Sequence, residues 1–284
     1  MLPWVVGGAA VAVAGAAVAG ALVAGGAGQQ ASPAPYVGGD LHVLAATGGG
    51  LFVGGHDGAA ASADGGKTWA QLESLEGGDP MGWAETTDGF LVGGHPGLYS
   101  SADGESFTLR TGQDAVSDVH GIGAAGDTVY LASTQAGLLA SSDGGDAWEV
   151  RNPQVGQSVM GTILVDPDDS QRLVAPDMMN GLLLSEDGGL TWTVLGGAEG
   201  PMAAAWDPRD RNRIVSVGMS GGTVTSDGGA TWSSITLPTG ASAVAFSEDG
   251  GILYAGTLTG DRAVVYASTD VGGSWVETST GAAS

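Results

Sequence analysis

The side chains of this sequence that could bind a transition metal are histidine and methionine, because the chain contains no cysteine. All four histidines and five of the six methionines after Met1 occupy two positions of a repeating unit. One position lies at the start of the first apolar segment of a unit, and the other lies just after the second segment. The candidate ligands are His42, His56, His95, His120, Met81, Met160, Met179, Met202 and Met219.

Imidazole and thioether ligands together suit copper, and thioethers favour Cu(I). The histidines fall in the first three units and the methionines mostly in the fourth and fifth. An arc of imidazoles facing an arc of thioethers could hold either oxidation state, or more than one ion. Two other interpretations stay open. Methionine fills irregular apolar gaps well, so these residues could plug a channel, and the same positions could line a pocket for an organic ligand.

A repeated octapeptide defines the units. It reads SADGGKTW from residue 62, SSDGGDAW from 141, SEDGGLTW from 185, TSDGGATW from 225 and STDVGGSW from 268, with a degraded copy, SADGESF, from 101. Successive aspartates of these copies lie 39, 40, 44, 40 and 43 residues apart. A period near forty residues indicates a repeat architecture in which each unit packs against its neighbours.

Each unit contains four short apolar segments. In the fourth unit they are GTILVDP, RLVAP, GLLLS and, after the octapeptide, TWTVL. Four short strands separated by turns form one blade of a β-propeller. The sequence therefore predicts an all-β, six-bladed propeller over residues 40–279. Because the first segment is a first strand and the last is a fourth strand, we expect the ring to close without a shared blade.

The octapeptides resemble the Asp-box, or bacterial neuraminidase repeat, S-x-D-x-G-x-T-W. The resemblance implies that each box is the turn between the third and fourth strands of its blade, on the face opposite the histidines and methionines. We expect the box aspartates to accept backbone N–H bonds within their turns and the box tryptophans to pack into the blades. These structural residues are Asp64, Asp103, Asp143, Asp187, Asp227, Asp270, Trp69, Trp148, Trp192, Trp232 and Trp275.

The resemblance also suggests a sialidase-like or glycosyl hydrolase-like protein, but the residues do not support sialidase chemistry. Sialidases use an arginine triad, and only Arg262 is predicted near the mouth opposite the boxes. Another glycosidase would need only two suitably spaced carboxyl groups. The predicted mouth contains aspartates that are typical of loops, and none is assigned a catalytic role: Asp40, Asp57, Asp79, Asp118, Asp177 and Asp261. Photosystem-assembly propellers look similar in repeat but suggest a basic patch that this acidic chain lacks.

Residues 1–28 carry no charged side chain. The segment exceeds the roughly 20 apolar residues that span a bilayer, and it also resembles a signal peptide without the positive n-region. Both interpretations predict an extracytoplasmic protein, either secreted or membrane-anchored. Residues 29–39 are predicted to form a flexible linker, and residues 280–284 a tail.

The formal net charge of −23 argues against nucleic acid and anionic membrane surfaces as partners. We therefore predict a monomeric, exported propeller that binds a metal ion, with copper expected, at the mouth of its axial channel. The alternatives are a scaffold that binds an extracytoplasmic protein or a glycan without metal, and a glycoside hydrolase of unknown specificity.

Overall fold

The structure is a computed structural model that describes residues 32–112 and 115–279. Within these residues, six successive antiparallel sheets form the blades of a propeller, which confirms the predicted fold. The proposed leader at residues 1–28 and tail at residues 280–284 lie outside the described residues. No helix in the described part of the chain is long and apolar enough to cross a membrane.

The first three blades each contain four short strands. Blade 1 contains β1 (Leu41–Thr47), β2 (Gly50–Gly55), β3 (Gly58–Ser62) and β4 (Ala70–Gln71), followed by a 3-10 helix, Glu73–Leu75. Blade 2 contains β5 (Asp79–Thr86), β6 (Gly89–His95), β7 (Leu98–Ser101) and β8 (Thr108–Leu109). Blade 3 contains β9 (Val119–Ala125), β10 (Thr128–Ser133), β11 (Gly137–Ser141) and β12 (Glu149–Asn152).

The first strand of blade 4 is divided in two. Its first part, β13 (Gly161–Thr162), pairs in parallel with β9 of blade 3, and its second part, β14 (Leu164–Val165), begins blade 4. Blade 4 continues with β15 (Leu173–Asp177), β16 (Gly181–Ser185) and β17 (Thr193–Gly196). Blade 5 contains β18 (Pro201–Asp207), β19 (Asp210–Gly218), β20 (Gly221–Thr225) and β21 (Ser233–Ile235). Blade 6 contains β22 (Ala243–Phe246), β23 (Leu253–Thr259), β24 (Arg262–Ser268) and β25 (Val276–Glu277).

The core of the propeller is a series of apolar clusters between adjacent blades. Phe52 of blade 1 stacks on Trp83 of blade 2, with ring centroids 4.4 Å apart. Trp69 joins a cluster with Tyr254 and Val265, which closes the ring between blades 1 and 6. Each box aromatic contributes to one of these clusters, as predicted, but only Trp69 and Phe107 are fully buried, whereas the other four are half-buried.

The box turns are held by short-range hydrogen bonds. In the fourth copy, Ser185 donates to Asp187 Oδ1 at 2.9 Å and accepts the N–H of Gly189 at 2.9 Å. Asp187 also accepts the N–H of Thr191 at 2.9 Å and its hydroxyl at 2.6 Å. In every copy the box aspartate accepts a backbone N–H bond within its own turn.

These hydrogen bonds favour the ionised carboxylate. Bonds from Thr191 lower the pKa of Asp187 to about 2, and bonds from Thr231 and Thr225 lower that of Asp227 equally. Bonds from Ser268 and Ser274 lower the pKa of Asp270 to about 2. The pKa values of the remaining box aspartates are lowered too, for Asp64 against the opposing effect of burial. The boxes are therefore turns that carry an ionised carboxylate held by nearby hydrogen bonds.

Residues 32–37, part of the segment interpreted as a linker, cross the junction between blades 1 and 6. Ser32 exchanges two backbone hydrogen bonds with Trp69, at 3.0 and 2.9 Å. Val37 is fully buried and donates its N–H to the carbonyl of Asp261 at 3.0 Å. The sequence analysis did not predict these contacts. They help to hold the two end blades together, between which no strand is exchanged in the described part of the chain.

Backbone carbonyls from three other blades approach the Cβ position of Gly161, which has a φ of 70°, and we call this close approach the axial constriction. A Cβ atom at this position would lie 3.1 Å from the carbonyl oxygen of Met202 and 3.8 Å from that of His42. Beyond the constriction, on the far side from the histidines, a cavity of about 510 Å³ is lined by the later parts of the first strands, including Trp83, Trp206 and Phe246. The two ends of the channel are thus chemically different.

Candidate metal centre

The four histidines lie on three consecutive blades. His42 is the second residue of β1, His95 ends β6, His120 is the second residue of β9, and His56 directly follows β2. Starts of first strands and ends of second strands meet at the same end of an antiparallel blade. This topology brings the four histidines, which are far apart in sequence, to one mouth of the channel.

The histidines and methionines of the first strands lie at a shared irregularity in strand pairing. The register of β1 against β2 skips His42, and that of β9 against β10 skips His120. Met81 in blade 2 and Met202 in blade 5 are skipped in the same way. A β-bulge leaves one residue unpaired and redirects its side chain. The repeated position found in the sequence is therefore a bulge in four of the six blades.

The buried carboxylate of Asp79 lies among three imidazoles. Its Oδ2 atom lies 3.0 Å from His95 Nδ1 and 3.5 Å from His56 Nδ1. Its Oδ1 atom lies 3.2 Å from His42 Nε2, and no other hydrogen-bond donor reaches this buried oxygen within the described residues. Asp79 is 9% exposed, so one of its oxygens is buried without full compensation.

A second carboxylate, that of Asp118, contacts two histidines. Asp118 Oδ1 is hydrogen-bonded to His95 Nε2, and it lies 3.1 Å from His120 Nε2. The two Nε2 atoms are themselves 3.2 Å apart, and the imidazole planes are inclined at 79°. We call His95, Asp118 and His120 the blade 2–3 group. All three of its ligand atoms converge on one point.

A further set of three residues lies beside it. Asp40, His42 and His56 each bring one ligand atom to within 4.8 Å of the other two, and we call them the blade 1 group. The blade 2–3 group meets the same geometric condition. Asp79 contacts His42 and His56 of the first group and His95 of the second, so it connects them.

The electrostatics of this mouth favour positive charge. Burial lowers the pKa of His95, but its hydrogen bonds with Asp79 and Asp118 raise the pKa on balance above the ordinary 6.5. Burial raises the pKa of Asp79, but contacts with His42 and His95 and the charge of His56 lower the pKa on balance below 3.8. The two carboxylates thus favour a cation between them, which a bound metal ion would also provide.

The backbone at Asp118 is in the left-handed region, with a φ of 58°. Aspartate tolerates this conformation better than most residues, yet it remains uncommon outside glycine. Such conformations cluster at functional sites, where surrounding structure holds them in place. Here the conformation places the carboxylate against the two imidazoles.

The methionines are placed differently from the histidines. Met81 is buried at 4% exposure, whereas Met179 and Met219 are 80% and 79% exposed. Met160 and Met202 are half-buried near the start of their blades. The two groups of ligand atoms described above consist of imidazole nitrogens and carboxylate oxygens.

The sequence analysis did not assign Asp79 and Asp118 as partners of the histidines. The signal was present as the triplets DLH, DPM and DVH, whose aspartates are Asp40, Asp79 and Asp118, successively 39 residues apart. The third residue of each triplet is the bulge residue of its first strand. Aspartate is common in loops, so composition alone does not distinguish these three from loop residues.

The other aspartates of this mouth have structural partners. Asp57 accepts a hydrogen bond from the hydroxyl of Tyr36 at 2.6 Å. Asp177 is buried and accepts bonds from the hydroxyl of Ser158 at 2.7 Å and from the N–H of Asn180 at 2.9 Å. Arg262 donates to the carbonyl of Ala34 at 2.8 Å. These groups tie loops together at the rim.

No family model matches the chain, and no curated protein matches it. Solved structures do. The GH74 enzyme of Niastella koreensis has a TM-score of 0.57 at 15% identity, covering 86% of this chain and 55% of that chain. The GH74 xyloglucanase of Xanthomonas campestris has a TM-score of 0.57 at 17% identity, covering 87% and 46%. YCF48 of Cyanidioschyzon merolae has a TM-score of 0.54 at 16% identity, covering 87% of each chain.

The chain therefore spans about half the length of these GH74 proteins and most of the length of YCF48. At such identities the similarity shows the fold alone, a β-propeller of the kind found in these glycosyl hydrolase structures. The narrower resemblance of the octapeptides to the Asp-box repeat stays a prediction.

Proposed function

We propose that this propeller is a metal-binding protein that holds a divalent transition-metal ion, with Cu(II) as the favoured ion, at the blade 2–3 group. The observation that carries the proposal is the convergence of His95 Nε2, His120 Nε2 and Asp118 Oδ1. Metal–imidazole bonds of about 2.0–2.1 Å place neighbouring ligands roughly 3.3 Å apart around a tetrahedral ion and roughly 2.9 Å apart in the square-planar geometry that Cu(II) prefers. The 3.2 Å between the two Nε2 atoms lies between these two separations.

The surroundings of His95 support the same proposal. Its Nε2 atom faces the proposed ion, while its Nδ1 atom lies 3.0 Å from the carboxylate of Asp79. Histidine ligands commonly donate their other ring N–H to a carboxylate, which fixes the ring and increases its basicity. Asp79 is in position for this role.

The donor set favours the oxidised form of copper. Imidazole suits several divalent metals, among which Cu(II) generally binds most tightly to a given site. A thioether would favour Cu(I), but the assembled ligand atoms are nitrogen and oxygen. Three protein ligands leave a coordination position open, which suits exchange of the ion or electron transfer. Export to an extracytoplasmic location remains part of the proposal, since residues 1–31 lie outside the described residues.

The glycoside hydrolase alternative has weaker support. The GH74 proteins share the fold at 15–17% identity, which does not carry catalytic residues across. Asp79 and Asp118 already contact histidines, and Asp57 and Asp177 hold loops. A scaffold for a protein or glycan is compatible with the same fold but leaves the histidine convergence unexplained.

Metal titration of the protein, purified without a polyhistidine tag and stripped of metal, tests the proposal. We expect Cu(II) and Zn²⁺ to bind, with Cu(II) tighter. Loss of one outer carboxylate partner of a ligand typically costs about 10–100-fold in affinity, so His95→Ala/His120→Ala should cost at least a hundredfold. Far-UV circular dichroism verifies that the variant is folded.

The matched control is Met179→Ala/Met219→Ala, which removes two exposed thioethers and should leave Cu(II) affinity unchanged. Wild-type affinity in the double-histidine variant, or no binding to the wild type, would overturn the proposal. If the methionine variant lost Cu(I) binding while the histidine variant kept it, the thioether arc would be the site instead.

A further inference from the structure

We propose that the blade 1 group binds a second metal ion and that Asp79 couples the two ions into a dinuclear centre. This inference rests on the proposed function of the blade 2–3 group. Its own evidence is a separate set of ligand atoms on a different blade: Asp40, His42 and His56.

The position of Asp79 shows why this second set is more than a group of surface residues. Nε2 of His42 and Nδ1 of His56 lie 3.2 and 3.5 Å from different oxygens of its carboxylate. Both imidazoles therefore direct a ring nitrogen towards one buried anion. An ion bound there would have two imidazole nitrogens and one or two carboxylate oxygens as ligands, a donor set suited to Cu(II) or Zn²⁺.

The buried Oδ1 atom of Asp79 provides a second observation that points to a cation at this position. Apart from the imidazole of His42 at 3.2 Å, it has no hydrogen-bond donor among the described residues, and Asp79 is only 9% exposed. A buried acceptor without a partner is costly, and a coordinated cation would satisfy it. Oδ2 would still accept the Nδ1–H of His95, whose Nε2 faces the other ion.

The two sites differ in accessibility, which predicts the order of loading. All three residues of the blade 2–3 group are half-buried, whereas Asp40 and His56 of the blade 1 group are exposed and only His42 is half-buried. Less solvent competition and the contact of Asp79 with His95 favour the blade 2–3 group. We expect the first ion to bind there and the second to bind more weakly at the blade 1 group.

Stepwise Cu(II) titration, followed by mass spectrometry under native conditions and by electron paramagnetic resonance, tests the inference. The wild type should bind two ions in distinct steps. At two equivalents it should show the broadened spectrum and half-field signal of two nearby Cu(II) ions. His42→Ala/His56→Ala should bind one ion, keep the tighter step within threefold, and lose the half-field signal.

Asp79→Asn keeps the shape of the side chain and removes its charge. The substitution should weaken binding of the second Cu(II) ion by at least about 10–100-fold, and it should also weaken binding of the first. Asp261→Asn, at the same rim, is the matched control and should change neither step. Thermal unfolding of the metal-free variants identifies any that are misfolded.

The outcomes distinguish this inference from the proposed function. One ion in the wild type that is lost only in His95→Ala/His120→Ala would overturn the dinuclear centre and leave the proposed function intact. One ion weakened equally by both pairs of substitutions would indicate a single shared site and also overturn it. No ion in any protein would remove both proposals.

Discussion

The box turns and the histidine mouth occupy opposite ends of the blades and are built in opposite ways. The side-chain hydrogen bonds of the serine or threonine and the aspartate in a box join residues two to four positions apart, and the pattern occurs in all six blades. At the mouth, His95 contacts Asp79 and Asp118, which lie 16 and 23 residues away on neighbouring segments. Every box forms the same local hydrogen-bonded turn. The mouth, in contrast, joins three blades through side chains that the other blades lack.

The difference indicates which residues stabilise this fold and which could bind a ligand. A residue that recurs in every unit has a structural role, because each blade must form the same turn and pack against the next. The four histidines break the repeat, since the corresponding positions of blades 4 to 6 hold methionine, serine or leucine. Chemistry that requires several different ligands needs such asymmetry.

Among the changes predicted here, acidification should decrease the stability of the protein the most, because it protonates the box aspartates. The folded pKa of Asp187, Asp227 and Asp270 is about 2, below the ordinary 3.8. A depressed pKa contributes stability that is present above about pH 4 and is lost as the pH falls towards 2. We expect the thermal unfolding midpoint to decrease steeply between pH 4 and pH 2.

The variant Asp187→Asn sharpens this prediction because one box no longer titrates. It should be less stable than the wild type at pH 6, and the difference should shrink towards pH 2. A constant difference across this range, or a wild-type midpoint that does not change with acid, would contradict the assignment of the boxes as ionic turns.

Among single substitutions, Trp69→Ala should have the largest effect on stability. Trp69 is 2% exposed in the cluster that closes blades 1 and 6, and removing a buried tryptophan costs about 3–5 kcal/mol. Urea denaturation measures this change. Trp275→Ala, at a half-buried box tryptophan, is the comparison and should cost clearly less; equal costs would show that burial does not distinguish the copies.

Gly161→Ala should have an intermediate effect. The new Cβ atom would lie 3.1 Å from the carbonyl oxygen of Met202, in a residue with a φ of 70°. Strained backbone of this kind costs about 1–3 kcal/mol. Gly240→Ala is the matched control, because Gly240 has a φ of 79° and no atom within 4 Å of the new Cβ. A larger loss of denaturant stability at Gly240 would contradict the axial constriction.

Ser185→Ala should have the smallest effect. The substitution removes the hydroxyl that donates to Asp187 and accepts from Gly189. A hydrogen bond typically contributes about 0.5–1.5 kcal/mol, so we expect a loss of about 1–2 kcal/mol in urea denaturation. Thr225→Ser keeps the equivalent hydroxyl of blade 5 and should change stability less; metal affinity should be unchanged in both variants.

Much of the fold follows from local pattern. The octapeptide period defines the number of blades, and the turn chemistry of serine and aspartate places the boxes between strands. Part of the site is also local, because His42 and His120 occupy equivalent positions of their units. Their shared status as bulge residues could not be read from the sequence, since a bulge depends on how the partner strand pairs.

The contacts of Asp79 required the three-dimensional structure. Three imidazoles from two blades reach its carboxylate, and the aspartate triplets by themselves are also typical of turns. The same limit applies to the methionines. Met81 is buried while Met179 and Met219 are exposed, although all occupy positions predicted to face the mouth. Burial depends on how neighbouring blades pack, which the spacing of residues does not specify.

By itself the sequence determined the repeating blade, the box turns and the collection of histidines at one end, because each depends on interactions within a unit or on the period between units. Tertiary structure decided which side chains meet. It placed Asp79 and Asp118 among the histidines, and it buried Met81 while leaving Met179 and Met219 exposed, because contacts between blades depend on the closure of the ring and the twist of each sheet.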